Sequence, residues 1–259
     1  NAAFIGLILS KIFKKKHLCS THAVYENIHG SSLRLTVKLL SHCDKILCLS
    51  QKSLEQLTKW GINPNIISTY KYWINLDKFS PKGTPKKFTV LFVGRFIAKK
   101  GIKVILHSAP KLPQVEHIIV GNGPLENYVK NFSQKYKNIR YLGAIPNQDL
   151  PSIYRQASLF LIASQYPEGF GRVSMEAVAS GIPVIGSNLG AIPEALDSSV
   201  SILFPPTTKN FIKNIKLLSK NRDLYQKLQK NCRNYAQDKF SHKNFDIILN
   251  SYYQLLNKS

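Results

Sequence analysis

The sequence has few acidic residues, few cysteines and no long apolar run, and each shortage excludes a class of protein. Only 14 of its 259 residues are Asp or Glu, against 36 Lys or Arg, which gives a formal net charge of +22. The four cysteines form no Cys-x-x-Cys pair and no group with metal-ligand spacing, so we expect reduced thiols and neither a disulfide framework nor a zinc module. Hydrophobic residues still make up 44% of the chain, which excludes a disordered protein and provides a core for one large domain or two small ones.

The apolar run nearest the start of the sequence is too short to cross a membrane. It covers residues 2–9, whereas a membrane-spanning helix needs about 20 apolar residues. Lys14, Lys15 and Lys16 follow this run, whereas a signal peptide carries its positive charge before its apolar run. We therefore predict a buried helix that ends in a solvated turn of lysines. Because the only methionine is Met175, we also expect a fragment or a processed product.

The excess of positive charge has three candidate partners: nucleic acid, an anionic membrane surface or a phosphorylated substrate. The basic residues are spread through the chain, and no RNA-recognition or zinc-finger signature accompanies them. Nucleic acid is therefore the least favoured of the three, and we do not expect it as a partner.

From residue 88 onward, short β-rich runs alternate with segments of helical periodicity. Most of the runs are continuously apolar, as expected for parallel strands with both faces covered, so the alternation predicts a doubly wound α/β domain. The predicted strands are Phe88–Val93, His117–Val120, Ile139–Leu142, Leu159–Ala163, Pro183–Gly186 and Ser201–Phe204, and the predicted helices are 101–109, 125–136, 148–156 and 173–180.

Residues 1–80 have the pattern of the end of a second α/β unit that is missing its opening strands. Residues 80–87, SPKGTPKK, have the composition of a linker and mark a domain boundary. Two helical patterns follow residue 211. The predicted elements outside the doubly wound domain are strands at 18–21 and 45–50 and helices at 32–40, 51–60 and 242–256.

Two loops that follow predicted strands have residues suited to binding an anion. Residues 93–101, VGRFIAKKG, place Gly94 at a strand end and Arg95 and Lys100 in the loop. Ligands of open α/β sheets bind outside the carboxyl ends of the strands, and phosphates favour the helix N-termini there. A phosphate site and an ordinary basic loop explain this pattern equally well. The second loop, GNGP at 121–124, is weak evidence because such a sequence often marks only a tight turn.

A third loop, PEGFGRVSMEA at 167–177, gives the most specific signal. Glu168 lies in the loop and Glu176 about two turns into the following helix. Free backbone N–H groups at the start of that helix suit an anion. Two carboxylates on an edge that also carries cations fit a ligand with hydroxyl groups at one end and phosphates in its middle. The alternative is a capped surface helix with chance glutamates.

These motifs, in their order along the chain, resemble those of the retaining glycosyltransferases of family 4 (glycosyl transferases group 1), which have the two-domain GT-B fold. The Glu168-x7-Glu176 spacing matches the signature of that family. The other segments that carry the resemblance are VGRFIAKKG at 93–101, VGNGPL at 120–125, YLGAIPNQDL at 141–150, EGFGRVSMEAVASGIPVIGSNLGAIPE at 168–194, INLDKFSP at 74–81 and FSHKNF at 240–245.

The resemblance implies that the chain consists of three parts. Residues 1–80 would be the remnant of an N-terminal, acceptor-side Rossmann-like domain. Residues 81–238 would be a complete Rossmann-like domain that binds the nucleotide sugar, and residues 239–259 a helix that crosses back to the first domain. Strands and a glycine-rich loop that open the family's first domain have no counterpart here, so we expect an N-terminally truncated chain. The family's usual glycine pair is replaced by Gly190-Ala191, and its Pro-Asn-Gly turn by residues 71–75.

The resemblance also implies a role for each matching residue. Arg95 and Lys100 would hold the donor diphosphate, and Glu176 would bond the ribose hydroxyls. Glu168 would touch the hydroxyls of the donor sugar, and His22 would face the transferring sugar from the first domain. Gly94 would let the backbone approach the ligand. Backbone contacts are implied for Gly169, Phe170 and Gly171, and walls near the base for Gly121, Leu142 and Gly143.

The implied activity is transfer of a sugar from a nucleotide-diphosphate sugar, such as a UDP- or GDP-sugar, to a lipid-linked or polysaccharide glycan, with retention at the anomeric carbon. No Asp-x-Asp motif occurs, so we expect no metal, and no cofactor is implied. We expect a cytoplasmic protein, with peripheral attachment to the inner face of an anionic membrane as a further expectation. A catalytically inactive module that binds nucleotide sugars is the alternative, because the acceptor half is incomplete.

Overall fold

The computed structural model describes residues 2–22, 28–83, 85 and 87–257. The chain forms two compact units: residues 74–241, and residues 1–73 together with 242–259. Each unit contains one parallel sheet, so the predicted α/β class is confirmed. In the described part of the chain, no helix combines the length and the apolar character that a membrane span requires. The domain limits 1–80, 81–238 and 239–259 remain predictions.

The smaller unit is built on a three-stranded sheet in the order β1-β2-β3. The middle strand is buried, and Leu40, Leu57 and Ile62 pack against it. The third strand was not predicted from the sequence, because its three residues are too few to show a period. The elements of this unit before residue 74 are α1 (Ala2–Ile12), β1 (Leu18–Thr21), α2 (Gly30–Leu40), β2 (Lys45–Cys48), α3 (Gln51–Lys59) and β3 (Ile67–Thr69).

Helix α1 differs from its prediction. It is helical, but none of its residues is buried, so the prediction of a buried helix is wrong. The helix packs along α2 and against the ring of His17. Large apolar side chains on its other faces, such as Phe4 and Ile5, are therefore half exposed.

The larger unit contains a six-stranded parallel sheet in the order β6 (Ile139–Tyr141), β5 (Glu116–Val120), β4 (Thr89–Val93), β7 (Leu159–Ile162), β8 (Val184–Ser187), β9 (Ser201–Phe204). Strands β7 and β8 are buried along their whole length, as their apolar sequences predict. The order reverses between β4 and β7, which confirms the doubly wound arrangement.

Helices connect these strands and cover the sheet, which is why β4, β7 and β8 have no exposed face. They are α4 (Ile102–Ser108), α5 (Glu126–Lys135), α6 (Leu150–Tyr154), α7 (Arg172–Ala179), α8 (Ile192–Ala195), α9 (Thr208–Lys220) and α10 (Arg222–Lys239). The last helix, α11 (Lys243–Leu256), belongs to the smaller unit. There Ile248 packs against Leu47, Leu49 and Tyr70.

Candidate functional site

The candidate site of the larger unit lies where the strand order reverses, between the carboxyl ends of β4 and β7. Ligands of open α/β sheets bind in the crevice at this point. The loop after β4 contains Arg95 and Lys100, and the loop after β7 contains Glu168. The Nζ atom of Lys100 lies 2.7 Å from Oε1 of Glu168, although the two residues are 68 positions apart in the sequence. The fold therefore joins two of the three loops that the sequence analysis selected.

In the Lys100–Glu168 ion pair the carboxylate is buried, whereas the lysine side chain is 25% exposed. Glu168 is only 8% exposed, and its Oε1 also accepts a hydrogen bond from the hydroxyl of Ser164. Lys100 lies over the ring of Tyr166, with Nζ 5.5 Å from the ring centre. A buried pair of this kind stabilises the fold little in net terms, but loss of one partner leaves an uncompensated buried charge. The pair also lines a small cleft beside β7 with Val93 and Val173.

The loop that carries Glu168 is held in place by the segment after β8. The backbone N–H of Ala191 donates to the carbonyl oxygen of Glu168 at 2.8 Å. Gly190 has φ of +66°, and a Cβ atom there would overlap the backbone of Glu168. The Gly190-Ala191 sequence, which departs from the family's glycine pair, thus retains a glycine where the backbone requires one.

Glu176 lies in α7 and is 2% exposed. Its Oε2 accepts a hydrogen bond from the hydroxyl of Tyr154 at 3.0 Å, and Nε of Arg172 lies 3.5 Å from its Oε1. Burial raises the pKa of Glu176, and the hydrogen bond and the nearby positive charges of Arg172 and Lys78 oppose that rise. Burial and the charge of Glu176 likewise raise the pKa of Tyr154 well above its ordinary value.

Tyr154 and Arg172 are neighbours of Glu176 that were not predicted from the sequence. The contact of Arg172 with Glu176 could have been predicted from the sequence, because residues four apart on a helix are adjacent on its surface. The contact of Tyr154 could not have been predicted in this way, since Tyr154 lies 22 residues from Glu176 in another helix.

The remaining residues predicted after β4, β5 and β6 lie together at the same edge of the sheet. Gly94 donates its N–H to Val120, and Gly121 donates to the carbonyl oxygen of Gly143 at 2.8 Å. A Cβ atom at Gly121 would overlap the carbonyl oxygen of Gly94, so this approach requires glycine. Leu142, which the sequence analysis also selected, donates its N–H to Ile119 at 3.0 Å.

Arg95 is exposed, and its guanidinium group has no partner among the residues that the structure describes. The same edge of the sheet contains the start of α7, where Gly171 caps the helix with φ of +62° and Phe170 is buried beneath the loop. Gly169 belongs to the same loop. A free cation and the free N–H groups of a helix start can together bind an anion.

His22 belongs to the smaller unit, where it follows β1. Its Nδ1 lies 2.6 Å from the hydroxyl of Tyr72 and 2.9 Å from the hydroxyl of Tyr70. Tyr70 is also bonded to the hydroxyl of Ser20 at 3.0 Å. Burial raises the pKa of Tyr70 to about 12, so Tyr70 remains a neutral hydrogen-bond partner at physiological pH. The structure therefore fixes the imidazole of His22 between two tyrosines.

Comparison with known proteins identifies the family to which the chain belongs. Residues 75–239 match the model of a family described as glycosyl transferases group 1. One subunit of the phosphatidylinositol N-acetylglucosaminyltransferase of Homo sapiens is 30% identical over an alignment of 224 residues, which covers 81% of this chain and 46% of that protein. D-inositol 3-phosphate glycosyltransferase of a Mycobacterium species is 28% identical over an alignment of 184 residues, which covers 63% of this chain and 42% of that protein. The chain spans about half the length of the curated relatives that it matches.

Solved structures resemble almost the whole chain. Sucrose-phosphate synthase from Thermosynechococcus elongatus matches 99% of this chain and 72% of its own, with a TM-score of 0.86 and 23% identity. Anabaena HepE, in complex with UDP and glucose, matches 99% of this chain and 74% of its own, with a TM-score of 0.83 and 20% identity. At such identities the likeness concerns the fold, and it confirms the predicted GT-B architecture.

Proposed function

The chain belongs to the glycosyl transferases group 1 family, and from that membership we propose that it transfers a sugar from a nucleotide-diphosphate sugar to an acceptor with retention of anomeric configuration. The observation that carries the proposal is the meeting of Lys100 and Glu168 where the strand order reverses. A cation suited to a phosphate and a carboxylate suited to sugar hydroxyls are adjacent there. A sugar diphosphate carries both kinds of group next to each other.

In the proposed reaction, the barrier lies in the separation of the diphosphate leaving group from an oxocarbenium-like sugar. Arg95, Lys100 and the N-terminus of α7 offset the charge that grows on the departing phosphate. One preorganised donor of this kind contributes about 2.7–4 kcal/mol to the stabilisation of a transition state. The donor phosphate itself assists removal of the acceptor's proton, so no side chain is assigned as a nucleophile.

Donor binding has to separate the Lys100–Glu168 pair. Without a ligand, each side chain neutralises the other across 2.7 Å. A donor phosphate would form an ion pair with Lys100, and the sugar hydroxyls would donate hydrogen bonds to Glu168. Both side chains thus keep partners throughout, which avoids an unpaired buried charge.

The nucleoside occupies the rest of the same edge. Glu176 accepts hydrogen bonds from the ribose hydroxyls once Arg172 moves away from its Oε1. Gly121, Leu142 and Gly143 form the wall near the base, and Gly169, Phe170 and Gly171 supply backbone contacts. The UDP held by Anabaena HepE supports a uridine nucleotide as the donor.

The acceptor is a lipid-linked or polysaccharide glycan, and His22 of the smaller unit keeps its predicted role as a catalytic residue. The first of these acceptor classes is supported by the name of the Homo sapiens relative, which includes phosphatidylinositol. We place the reaction in the cytoplasm at the inner face of an anionic membrane, where the net charge of +22 favours attachment. The family-4 assignment and the three domains 1–80, 81–238 and 239–259 belong to the same proposal.

Thermal shift with a series of nucleotide-diphosphate sugars tests donor binding. We expect a UDP-sugar to raise the melting temperature and the Arg95→Glu and Glu176→Ala variants to lose that rise. Lys100→Gln should lose it too, whereas Lys99→Gln should keep it, because the neighbouring Lys99 is exposed and lies outside the ion pair. A shift that survives in Lys100→Gln and Arg95→Glu would remove the basis of the proposed site.

The absence of an Asp-x-Asp motif from the sequence leads to a prediction about metals. We expect transfer by the complete protein to proceed at an unchanged rate in EDTA, since Arg95 and Lys100 supply the charge that a chelated metal would supply. The measurement is the initial rate with and without EDTA, with magnesium or manganese added back. A rate that falls in EDTA and returns with either metal would contradict this prediction.

A further inference from the structure

A second cavity of the larger unit lies at the opposite edge of its sheet from Lys100 and Glu168. It has a volume of about 510 Å³. Ala157 and Ile182 line it just before β7 and β8 begin, so it opens at the amino edge. Strands of four residues, at about 3.3 Å per residue, separate the two edges by about 13 Å. This cavity is therefore separate from the candidate donor site.

The charge of the cavity wall has one sign. Among the residues that the structure describes, four basic side chains line it and no Asp or Glu does; the four are Lys82, Arg155, Arg233 and Lys230. The side chains of Lys82, Arg155 and Lys230 have no hydrogen-bond or ion-pair partner among the described residues. Cations that share one concave surface repel each other and raise the local concentration of anions.

Arg233 is fixed in the wall before any ligand arrives. Its Nη1 donates to the carbonyl oxygens of Leu76 and Phe79 at 2.9 Å each, and to that of Ala179 at 3.2 Å. A guanidinium group has five N–H donors, so the remaining donors are held in place but left for another acceptor. A cation oriented in advance loses little entropy when it binds an anion.

Neutral polar groups accompany the cations. Gln226 and Gln229 line the cavity from α10, at positions that share one helix face with Lys230 and Arg233. Ser180, at the end of α7, is 5% exposed, and its hydroxyl group has no hydrogen-bond partner among the described residues. Amide and hydroxyl groups of this kind bind the hydroxyls of a polyol.

We propose that this cavity binds the phosphate monoester of a small polyhydroxyl compound, with Arg155, Lys230 and Arg233 on the phosphate and the glutamines on the hydroxyls. The concave wall combines cations with amide and hydroxyl groups, which fits a small phosphorylated polyol better than a flat lipid surface. The site does not depend on the proposed glycosyl transfer, since it uses none of the residues at the carboxyl edge.

Calorimetric titration with glycerol 2-phosphate tests the proposal. We expect binding that is at least about tenfold weaker in the double variant Arg155→Gln/Lys230→Gln, because charged hydrogen bonds to the phosphate are lost. Lys227→Gln is the matched control, since it removes an exposed charge from the same helix but does not line the cavity. Arg95→Glu should also leave this binding unchanged, which separates it from phosphate binding at the carboxyl edge. Glycerol should not bind.

Three results would overturn the proposal: equal affinity in the double variant and the wild type, loss of binding in Arg95→Glu, or binding to phosphatidic acid vesicles without binding to glycerol 2-phosphate. A fold defect in the double variant is recognised by circular dichroism, and the single variant Lys230→Gln then replaces it. Ser180→Ala gives an additional measurement. If the hydroxyl group contacts the ligand, the affinity falls by several-fold; an unchanged affinity removes Ser180 from the site.

Discussion

At the scale of the residue, Glu176 combines the burial of a core residue with the charge of a binding residue. Its side chain is held by Tyr154 on one oxygen and approached by Arg172 on the other. Neither contact fully compensates for the loss of water, so its pKa is raised. A residue selected for stability alone would be apolar at this position, whereas a residue that binds ribose hydroxyls has to keep its carboxylate.

This conflict predicts the behaviour of Glu176→Gln. The folded-state pKa lies above the ordinary value of 4.5, so the stability that the bound proton provides is full below pH 4.5 and is lost as the pH rises through the folded-state pKa. We expect Glu176→Gln to melt at a higher temperature than the wild type at neutral pH, but at a similar temperature at pH 4. The variant should also lose donor binding.

Calorimetric melting temperatures across this pH range provide the measurement. Glu55→Gln is the control, because it makes the same substitution at an exposed carboxylate. If Glu176→Gln is less stable than the wild type at neutral pH, the hydrogen bond from Tyr154 outweighs the burial of the charge and this interpretation of Glu176 is wrong.

At the scale of the element, the loop after β7 depends on the segment after β8. Gly190 contacts the backbone of Glu168, and Ala191 donates a hydrogen bond to it. A side chain at position 190 therefore acts on the site through backbone displacement, even though residue 190 is not itself expected to touch the donor.

We accordingly predict two separate effects of Gly190→Ala. The positive φ costs a non-glycine residue about 1–2 kcal/mol, and the overlap with Glu168 adds displacement of the loop and loss of donor binding. Gly61→Ala is the matched control, because Gly61 has φ of +84° and no atom within 4 Å of the added Cβ. Chemical denaturation and thermal shift with the donor measure the two effects. If both variants are destabilised equally and Gly190→Ala retains donor binding, the contact with Glu168 affects neither stability nor donor binding.

The elements themselves were largely predictable, for a reason that also explains the errors. Most strands of the larger unit are continuous apolar runs between helical patterns, and burial on both faces of a parallel sheet requires that composition. Strand β3 was missed because three residues give no pattern. The burial of α1 was predicted wrongly. An apolar sequence shows that a helix can be buried, but it does not show whether another element packs against it.

At the scale of the whole molecule, the net charge of +22 leads to a prediction about membranes. Each basic residue near an anionic surface contributes about 1 kcal/mol to attachment. We expect the protein to co-sediment with phosphatidylglycerol vesicles at low salt but not with phosphatidylcholine vesicles. The attachment should be lost as sodium chloride rises to about 1 M, where the screening length falls to about 3 Å. Attachment that does not weaken with salt would exclude an electrostatic mechanism.

The sequence by itself determined the alternation of strands and helices, and with it the edge of the sheet at which Arg95, Lys100, Glu168 and Glu176 lie. Parallel strands all end at the same edge, so a residue that follows a strand is placed by its position in the chain. Only the tertiary structure decided that Lys100 pairs with Glu168, that Tyr154 bonds to Glu176, and that basic residues from separate segments enclose a second cavity. Such contacts depend on how helices and loops pack against the sheet. They join residues that are far apart in the sequence, so no local sequence pattern predicts them.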